Sequence, residues 1–74
     1  MSMTTLDVRE ALARGESPLD GVLAAWAALP KGARLAVIAP FEPAPMMAMF
    51  SAQGVAVACR EAGPEEYHLL LGPK

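Results

Sequence analysis

The chain is poor in aromatic and charged side chains. Aromatic residues make up 5% of its 74 residues and charged residues 19%, against roughly 25% charged in an average domain. The formal net charge is -2, which argues against a nucleic-acid-binding protein because such domains are basic. Hydrophobic residues make up 54%. A chain this apolar can bury enough surface to fold, so intrinsic disorder is excluded.

Cysteine and histidine occur once each, as Cys59 and His68. One cysteine forbids an internal disulfide, and one histidine forbids the usual multi-ligand zinc sites. The sequence also has no glycine-rich phosphate loop and no spacing typical of metal ligands. An enzyme needs titratable groups that converge in a concave site, and no such group can be assembled here. We therefore expect no cofactor, no metal and no catalytic activity.

Long apolar runs are missing as well. No stretch approaches the roughly 20 residues that span a bilayer. The first residues, Met1 to Thr5, lack the basic start and the apolar run of a signal peptide. We expect a single domain over residues 1–74, located in the reducing cytoplasm, with no membrane or nucleic-acid partner. Fifteen alanines imply a thin core, which predicts marginal stability or self-association.

The pattern of apolar residues predicts an α+β fold. Strands and helices alternate in the order β-α-β-α-β-β, with predicted segments at 4–8, 18–29, 34–39, about 43–53, 55–61 and 66–71. A right-handed crossover makes the first two strands parallel, and the last two form an antiparallel hairpin. The expected architecture is a two-layer sandwich, with two helices on one face of a four-stranded mixed sheet. The other face stays open unless a partner covers it.

The first predicted helix has a clear start. Ser17 can cap it, Pro18 suits the first helical position, and Asp20 stands where a capping-box acid belongs. Its apolar stripe includes Trp26, the largest residue of the chain. We expect Trp26 to be buried against the sheet.

Two registers are possible for the final hairpin. A symmetric four-residue loop places Cys59 opposite His68 on one face, which suggests a thiol–imidazole pair. A three-residue loop instead turns Cys59 inward and His68 outward. The second register gathers six buriable residues on one face, and such segregation normally fixes register; they are Val55, Val57, Cys59, Tyr67, Leu69 and Leu71. We favour it, with Ala56, Ala58, Arg60, His68 and Leu70 on the open face.

Six residues are candidates for ligand or partner contacts: Asp7, Arg9, Cys59, Arg60, His68 and Leu70. Asp7 and Arg9, at the end of the first strand, either frame a small polar ligand or pair with each other. Cys59 is either a small buried hydrophobe or a redox thiol. His68 is either a solvated strand residue or a group that responds to pH or contacts a ligand.

Three methionines, Met46, Met47 and Met49, cluster beside Phe50. Thioethers bind soft Cu(I), but flexible side chains also fill irregular cores. Core filling is the favoured interpretation, and a methionine patch that binds a partner is the alternative.

Several short motifs are similar to those of TusA-like (SirA-like) domains. They are Leu6-Asp7-Val8-Arg9, the proline that opens the first helix, the turn Leu29-Pro30-Lys31-Gly32, and Glu42-Pro43-Ala44-Pro45. The nearest resemblance is to an uncharacterised bacterial branch of that family, sometimes found beside hemerythrin-like or redox modules. Sulfur-carrier members open the first helix with Cys-Pro-x-Pro, whose cysteine carries a persulfide. Here Glu16 or Ser17 stands in that place, so the carrier chemistry does not carry over.

The resemblance implies a non-catalytic accessory or interaction module in a bacterial cytoplasmic redox or sulfur-related setting. Its partner would be an unknown protein, or a second copy bound through the open sheet face. The alternative is a carrier of sulfur or of a small ligand, which would use Cys59 or the end of the sheet at Asp7 and Arg9.

Overall fold

Residues 3–73, the part of the chain that the computed structural model describes, form four strands and three helices. In chain order they are β1 (Met3–Asp7), α1 (Arg9–Ala13), α2 (Pro18–Ala28), β2 (Arg34–Ala39), α3 (Ala44–Ala52), β3 (Ala56–Gly63) and β4 (Glu66–Gly72). The strands form one sheet in the order β1-β2-β4-β3. β1 and β2 are parallel, and the other two pairs are antiparallel. The predicted α+β sandwich on a mixed sheet is confirmed.

Helix α1 is an addition to the predicted order. It has five residues, none of them buried, and Val8 at its N-cap makes no side-chain cap hydrogen bond. A segment without a cap and without an apolar stripe carries no periodic signal. Arg9 begins this helix, so its expected place in the first strand is wrong.

Helices α2 and α3 both begin with proline in the first turn, where the missing N–H has no helical partner in any case. Ser17 occupies the N-cap of α2, but its side chain makes no cap hydrogen bond. After α3 the chain turns at Gly54, whose φ of 84° is left-handed and favours glycine. None of the helices within residues 3–73 has the length and the apolar character to cross a membrane.

The hairpin register turns Cys59 toward the helices. Cys59 pairs with Leu69, and Arg60 pairs with His68. Directly opposed residues share a face, so Cys59 and His68 lie on opposite faces of the sheet. The favoured register is confirmed and the thiol–imidazole pair is excluded. The turn of the hairpin differs from the prediction. A bulge lies between Glu61 and Gly63, and Gly63 pairs with Glu66, so the loop is one residue shorter than expected.

The core lies between the two long helices and the inward face of the central strands. Its largest fully buried side chains are Phe50, Leu35, Leu69, Leu71, Val22 and Val37. Trp26 is only half-buried, and its ring meets Phe50 edge-on with centroids 6.0 Å apart. Trp26 packs against the core cluster, but the expectation that it is buried is wrong. Phe50 is the central aromatic residue.

Removing the ring of Phe50 should destabilise the protein more than removing that of Trp26. We expect Phe50→Ala to cost about 3–5 kcal/mol because it leaves a cavity, enough to unfold most of the protein. Trp26→Ala should cost roughly half as much, because its ring is already partly in water. Urea denaturation followed by far-UV circular dichroism measures both. The matched control is Leu23→Ala on the exposed side of α2, expected to change stability by less than about 1 kcal/mol. A larger loss for Trp26→Ala than for Phe50→Ala would contradict this assignment of the core.

Candidate functional site

The sheet face opposite the helices carries most of the predicted contact residues. Pairing across the four strands arranges its side chains in rows. One row, here called the charged row, consists of Asp7, Ile38, His68 and Arg60. The next, the apolar row, consists of Thr5, Ala36, Leu70 and Ala58. Four of the six predicted residues therefore share one surface, and Arg9 joins them from the start of α1.

An ion network joins Asp7 of the charged row, through Arg9 and Glu66, to His68 of the same row. The Arg9 guanidinium donates to both oxygens of Asp7, with Nη2 2.8 Å from Oδ2 and Nε 3.0 Å from Oδ1. The Arg9 backbone N–H donates to Asp7 Oδ1 as well, at 3.0 Å. Arg9 Nη1 also lies 3.7 Å from Glu66 Oε1. The other oxygen of Glu66 is 2.7 Å from His68 Nε2.

The ion network shifts the pKa values of Asp7 and Arg9. Hydrogen bonds from Arg9 hold the pKa of the Asp7 carboxyl below its usual range; the bond from the side chain has the larger effect and the bond from the backbone the smaller. The Asp7 carboxylate in turn raises the pKa of the Arg9 guanidinium. Both side chains remain more than 40% exposed, at 44% and 43%. Solvent screens such a pair, so its contribution to folding is modest.

Asp7 is the closer of the two carboxylates that pair with Arg9. Asp7 and Arg9 satisfy each other, which supports the ion-pair interpretation and leaves no gap between them for a small ligand. Across residues 3–73, no group of three His, Cys, Asp or Glu side chains is arranged to hold a metal ion.

Cys59 lies apart from this network, under the helices. It packs against the hydrophobic core. Burial raises the pKa of its thiol, and the negative charge of Glu42 raises it further. A reactive thiol needs the opposite shift, which a cation or a helix N-terminus provides. The surroundings of Cys59 are those of a small core hydrophobe.

The methionine cluster of α3 belongs to the helix side of the sheet. Met46 is 8% exposed, and Met47 and Met49 pack against the same core, which supports core filling. Met46 and Met49 also border an apolar hollow of about 230 Å³. This hollow, named the apolar hollow below, lies where β1 and β2 end and where α2 and α3 begin.

Glu66 and the apolar hollow were both missed by the sequence interpretation. Glu66 stands two residues before His68 in a strand, so alternation alone places the two on one face. The sequence therefore contains the signal that places Glu66 beside His68. The hollow gives no such signal, because its lining comes from β2, from all three helices and from the connections after β1 and β2, which meet only in the folded chain.

The Asp7–Arg9 pair should contribute stability that disappears in acid. The pKa of Asp7 is lowered on folding, so its contribution is present above the unfolded pKa, near 3.9. It is lost as the pH falls through the lowered folded value. Asp7→Asn should therefore reduce the free energy of unfolding by at most about 1 kcal/mol at neutral pH, and by almost nothing near pH 2. Urea denaturation at the two pH values measures the difference.

The control for that prediction is Glu65→Gln in the hairpin turn. Glu65 forms no salt bridge in the described part of the chain. An Asp7→Asn effect that persists unchanged near pH 2 would show that the ion pair is not its source.

Cys59 should react slowly at neutral pH. The thiolate is the reacting form, and the raised pKa of Cys59 lowers its abundance while packing limits access. An aromatic disulfide reagent, monitored by absorbance, should react with the native protein more slowly than with free cysteine. The same protein unfolded in urea serves as the control and should match free cysteine. A native rate above that of free cysteine would instead indicate an activated thiol.

Comparison with known proteins identifies a family for this chain. The model of a family described as uncharacterised conserved proteins, DUF2249, matches residues 5–73. Comparisons with curated proteins and with solved structures gave no match. The relation to TusA-like domains stays a prediction. The family match runs from the middle of β1 to the residue after β4, and the chain therefore belongs to the DUF2249 family of uncharacterised conserved proteins.

Proposed function

We propose that the protein is a non-catalytic interaction module whose open sheet face associates weakly with a second copy of the chain. The observation that carries the proposal is the apolar row, which lies on the face that the helices do not cover. A solvated antiparallel face normally carries polar side chains. Here the row has one hydroxyl, two alanines and Leu70, whose exposed fraction is 39%.

The pattern of side-chain sizes is complementary to itself. In a face-to-face dimer whose two-fold axis runs along the strands, β1 of one copy lies over β3 of the other and β2 lies over β4. The apolar row then meets the apolar row. Leu70 lies over Ala36 of the second copy, so that a large side chain meets a small one. Thr5 lies over Ala58 in the same way.

The same dimer arrangement also brings opposite charges together. The charged row has the Asp7 carboxylate on β1 and the Arg60 guanidinium on β3. Arg60 forms no salt bridge with any residue between 3 and 73. The two-fold axis places Arg60 near Asp7 of the second copy. Charge complementarity of this kind favours one orientation over others more than it adds affinity.

The size of the face determines the strength of the association. Four strands about 4.8 Å apart and five residues of about 3.3 Å rise give a footprint of roughly 300 Å². A standard stable interface buries about 800 Å² on each partner. The face by itself is too small for a permanent dimer. It suits a transient contact that another protein with a similar flat face can replace.

The cellular setting of the proposal is a bacterial cytoplasm, in redox or sulfur-related chemistry. Its support is the resemblance of the turn and helix-start motifs to TusA-like domains. The carrier alternative has less support, because the position of the family's persulfide cysteine is held by Glu16 or Ser17 and because Cys59 has a raised pKa. We therefore favour an interaction module over a sulfur carrier.

A charge in the centre of the apolar row should abolish self-association. Leu70→Asp places a carboxylate opposite Ala36 of the second copy, which should weaken dimerisation by at least about tenfold. Sedimentation equilibrium over a wide range of protein concentration measures the monomer–dimer constant. The matched control is Leu23→Asp on α2, a residue of similar exposure at 36% that lies outside the open face.

The wild-type and Leu23→Asp proteins should associate equally, and Leu70→Asp should stay monomeric with its helices intact. A strictly monomeric wild-type protein at millimolar concentration would overturn the proposal. An equal effect of the two aspartate variants would overturn it as well.

A further inference from the structure

The lining of the apolar hollow is almost entirely apolar. Its floor consists of Val8, Val37 and Ala39, which are 4%, 0% and 2% exposed. Pro18, at the start of α2, lines it from one side. Pro43 and Pro45, at the start of α3, line it from the other. Proline rings hold the shape of such a wall, because each fixes its own φ. A hollow of this kind is already formed before anything binds.

The size and the lining of the hollow suit an aromatic ring. A dry protein cavity of about 150 Å³ binds benzene, and this hollow, at about 230 Å³, has room for a second fused ring. The thioethers of Met46 and Met49 line it, and sulfur makes favourable contacts with aromatic edges. Phe41 also lines it and is 49% exposed, so its ring is available to stack on a bound ring.

An acidic cleft adjoins the apolar hollow. The two share Val8 and Pro18, and the cleft is also lined by Asp7, Glu16 and Asp20. Arg9 pairs with Asp7, and Arg14 pairs with Glu16. Asp20 forms no salt bridge within the described residues. One carboxylate of the cleft is thus left to balance a positive charge brought by a ligand.

The carboxylate of Asp20 determines which ligand charge the cleft favours. Asp20 lies in the first turn of α2, where its negative charge offsets the positive end of the helix dipole. A ligand anion would be repelled by that carboxylate, whereas a ligand cation would pair with it. The charge of the cleft therefore complements an ammonium group attached to the ring.

We propose that the apolar hollow and the acidic cleft together bind a small aromatic amine, with its ring in the hollow and its ammonium group beside Asp20. The hollow lies on the helix side of the sheet, away from the open face. Asp7 borders both the cleft and the charged row of that face, but the amine site relies on the apolar hollow and on Asp20, so the amine proposal and the dimer proposal can fail separately.

The test uses three probes that share an indole ring and differ in charge. They are tryptamine, which is a cation, 3-(2-hydroxyethyl)indole, which is neutral, and indole-3-propionate, which is an anion. Each is titrated into the wild-type protein and followed by two-dimensional NMR of backbone amides. We expect saturable shifts at Val8, Val37 and Phe41, with affinity in the order cation, neutral, anion.

Two pairs of variants locate the two halves of the site. Phe41→Ala should weaken all three probes by about three- to tenfold through loss of ring contact, while Leu23→Ala should leave their binding unchanged. Asp20→Asn should weaken tryptamine alone by about two- to fivefold, while Glu65→Gln should change nothing. All four positions are exposed, so the variants should fold, and circular dichroism verifies this.

Three results would overturn the proposal. The first is the absence of saturable shifts at the hollow with every probe. The second is binding of indole-3-propionate as tight as that of tryptamine, which would contradict the role of the cleft. The third is a change at the hollow that depends on protein concentration without any probe, since a second copy of the chain would then be the occupant.

Discussion

The structure depends on the burial of alternate apolar side chains along the two central strands. On β2 and β4 the residues that face the helices include Leu35, Val37, Leu69 and Leu71, all between 0% and 1% exposed. The residues between them include Ala36 and Leu70, which face outward. A shift of one residue in either strand would exchange the two sets and expose the core. Hydrophobic burial thus fixes the register, and the register determines the composition of both faces of the sheet.

Both candidate sites follow from this constraint. Because the helices cover one face of the sheet, the alternate residues of β2 and β4 lie on the other face, where Ala36 and Leu70 form the middle of the apolar row. The helix side is also incompletely filled where β1 and β2 end. Proline-containing helix starts and an exposed Phe41 meet there and leave the apolar hollow. Phe50 fills the centre of the core, whereas the ring of Phe41 lies beside the hollow and stays 49% exposed.

The sequence pattern predicted those parts of the fold that depend on the alternation of apolar and polar residues in strands and on the residues that begin and end helices. The strands, the two long helices and the hairpin register came from residues that repeat at a fixed spacing or from proline and glycine at element ends. Helix α1 was missed because five exposed residues without a cap carry no repeat. The position of Trp26 was misjudged because spacing along a helix shows which face points inward, but not which partner lies there.

The candidate sites were less predictable than the fold, for a related reason. Asp7 and Arg9 were identified because they are neighbours in sequence, and their pairing is a local contact. The link from Arg9 to Glu66 joins residues that are distant along the chain. It requires β4 to lie next to β2, and strand order is a property of the whole sheet. The apolar hollow requires the positions of two helices as well.

The bulge near the end of β3 limits the size of the assemblies that copies of this chain can form through their sheet edges. β1 and β3 are the edges of the sheet, and an unpaired edge is a template on which further strands can add without limit. A bulge bends and twists its strand, and Arg60 and Glu61 put charges on the same edge. Endless strand addition is therefore hindered at β3. An association through the open face is finite by contrast, because two copies cover each other and leave no equivalent surface for a third.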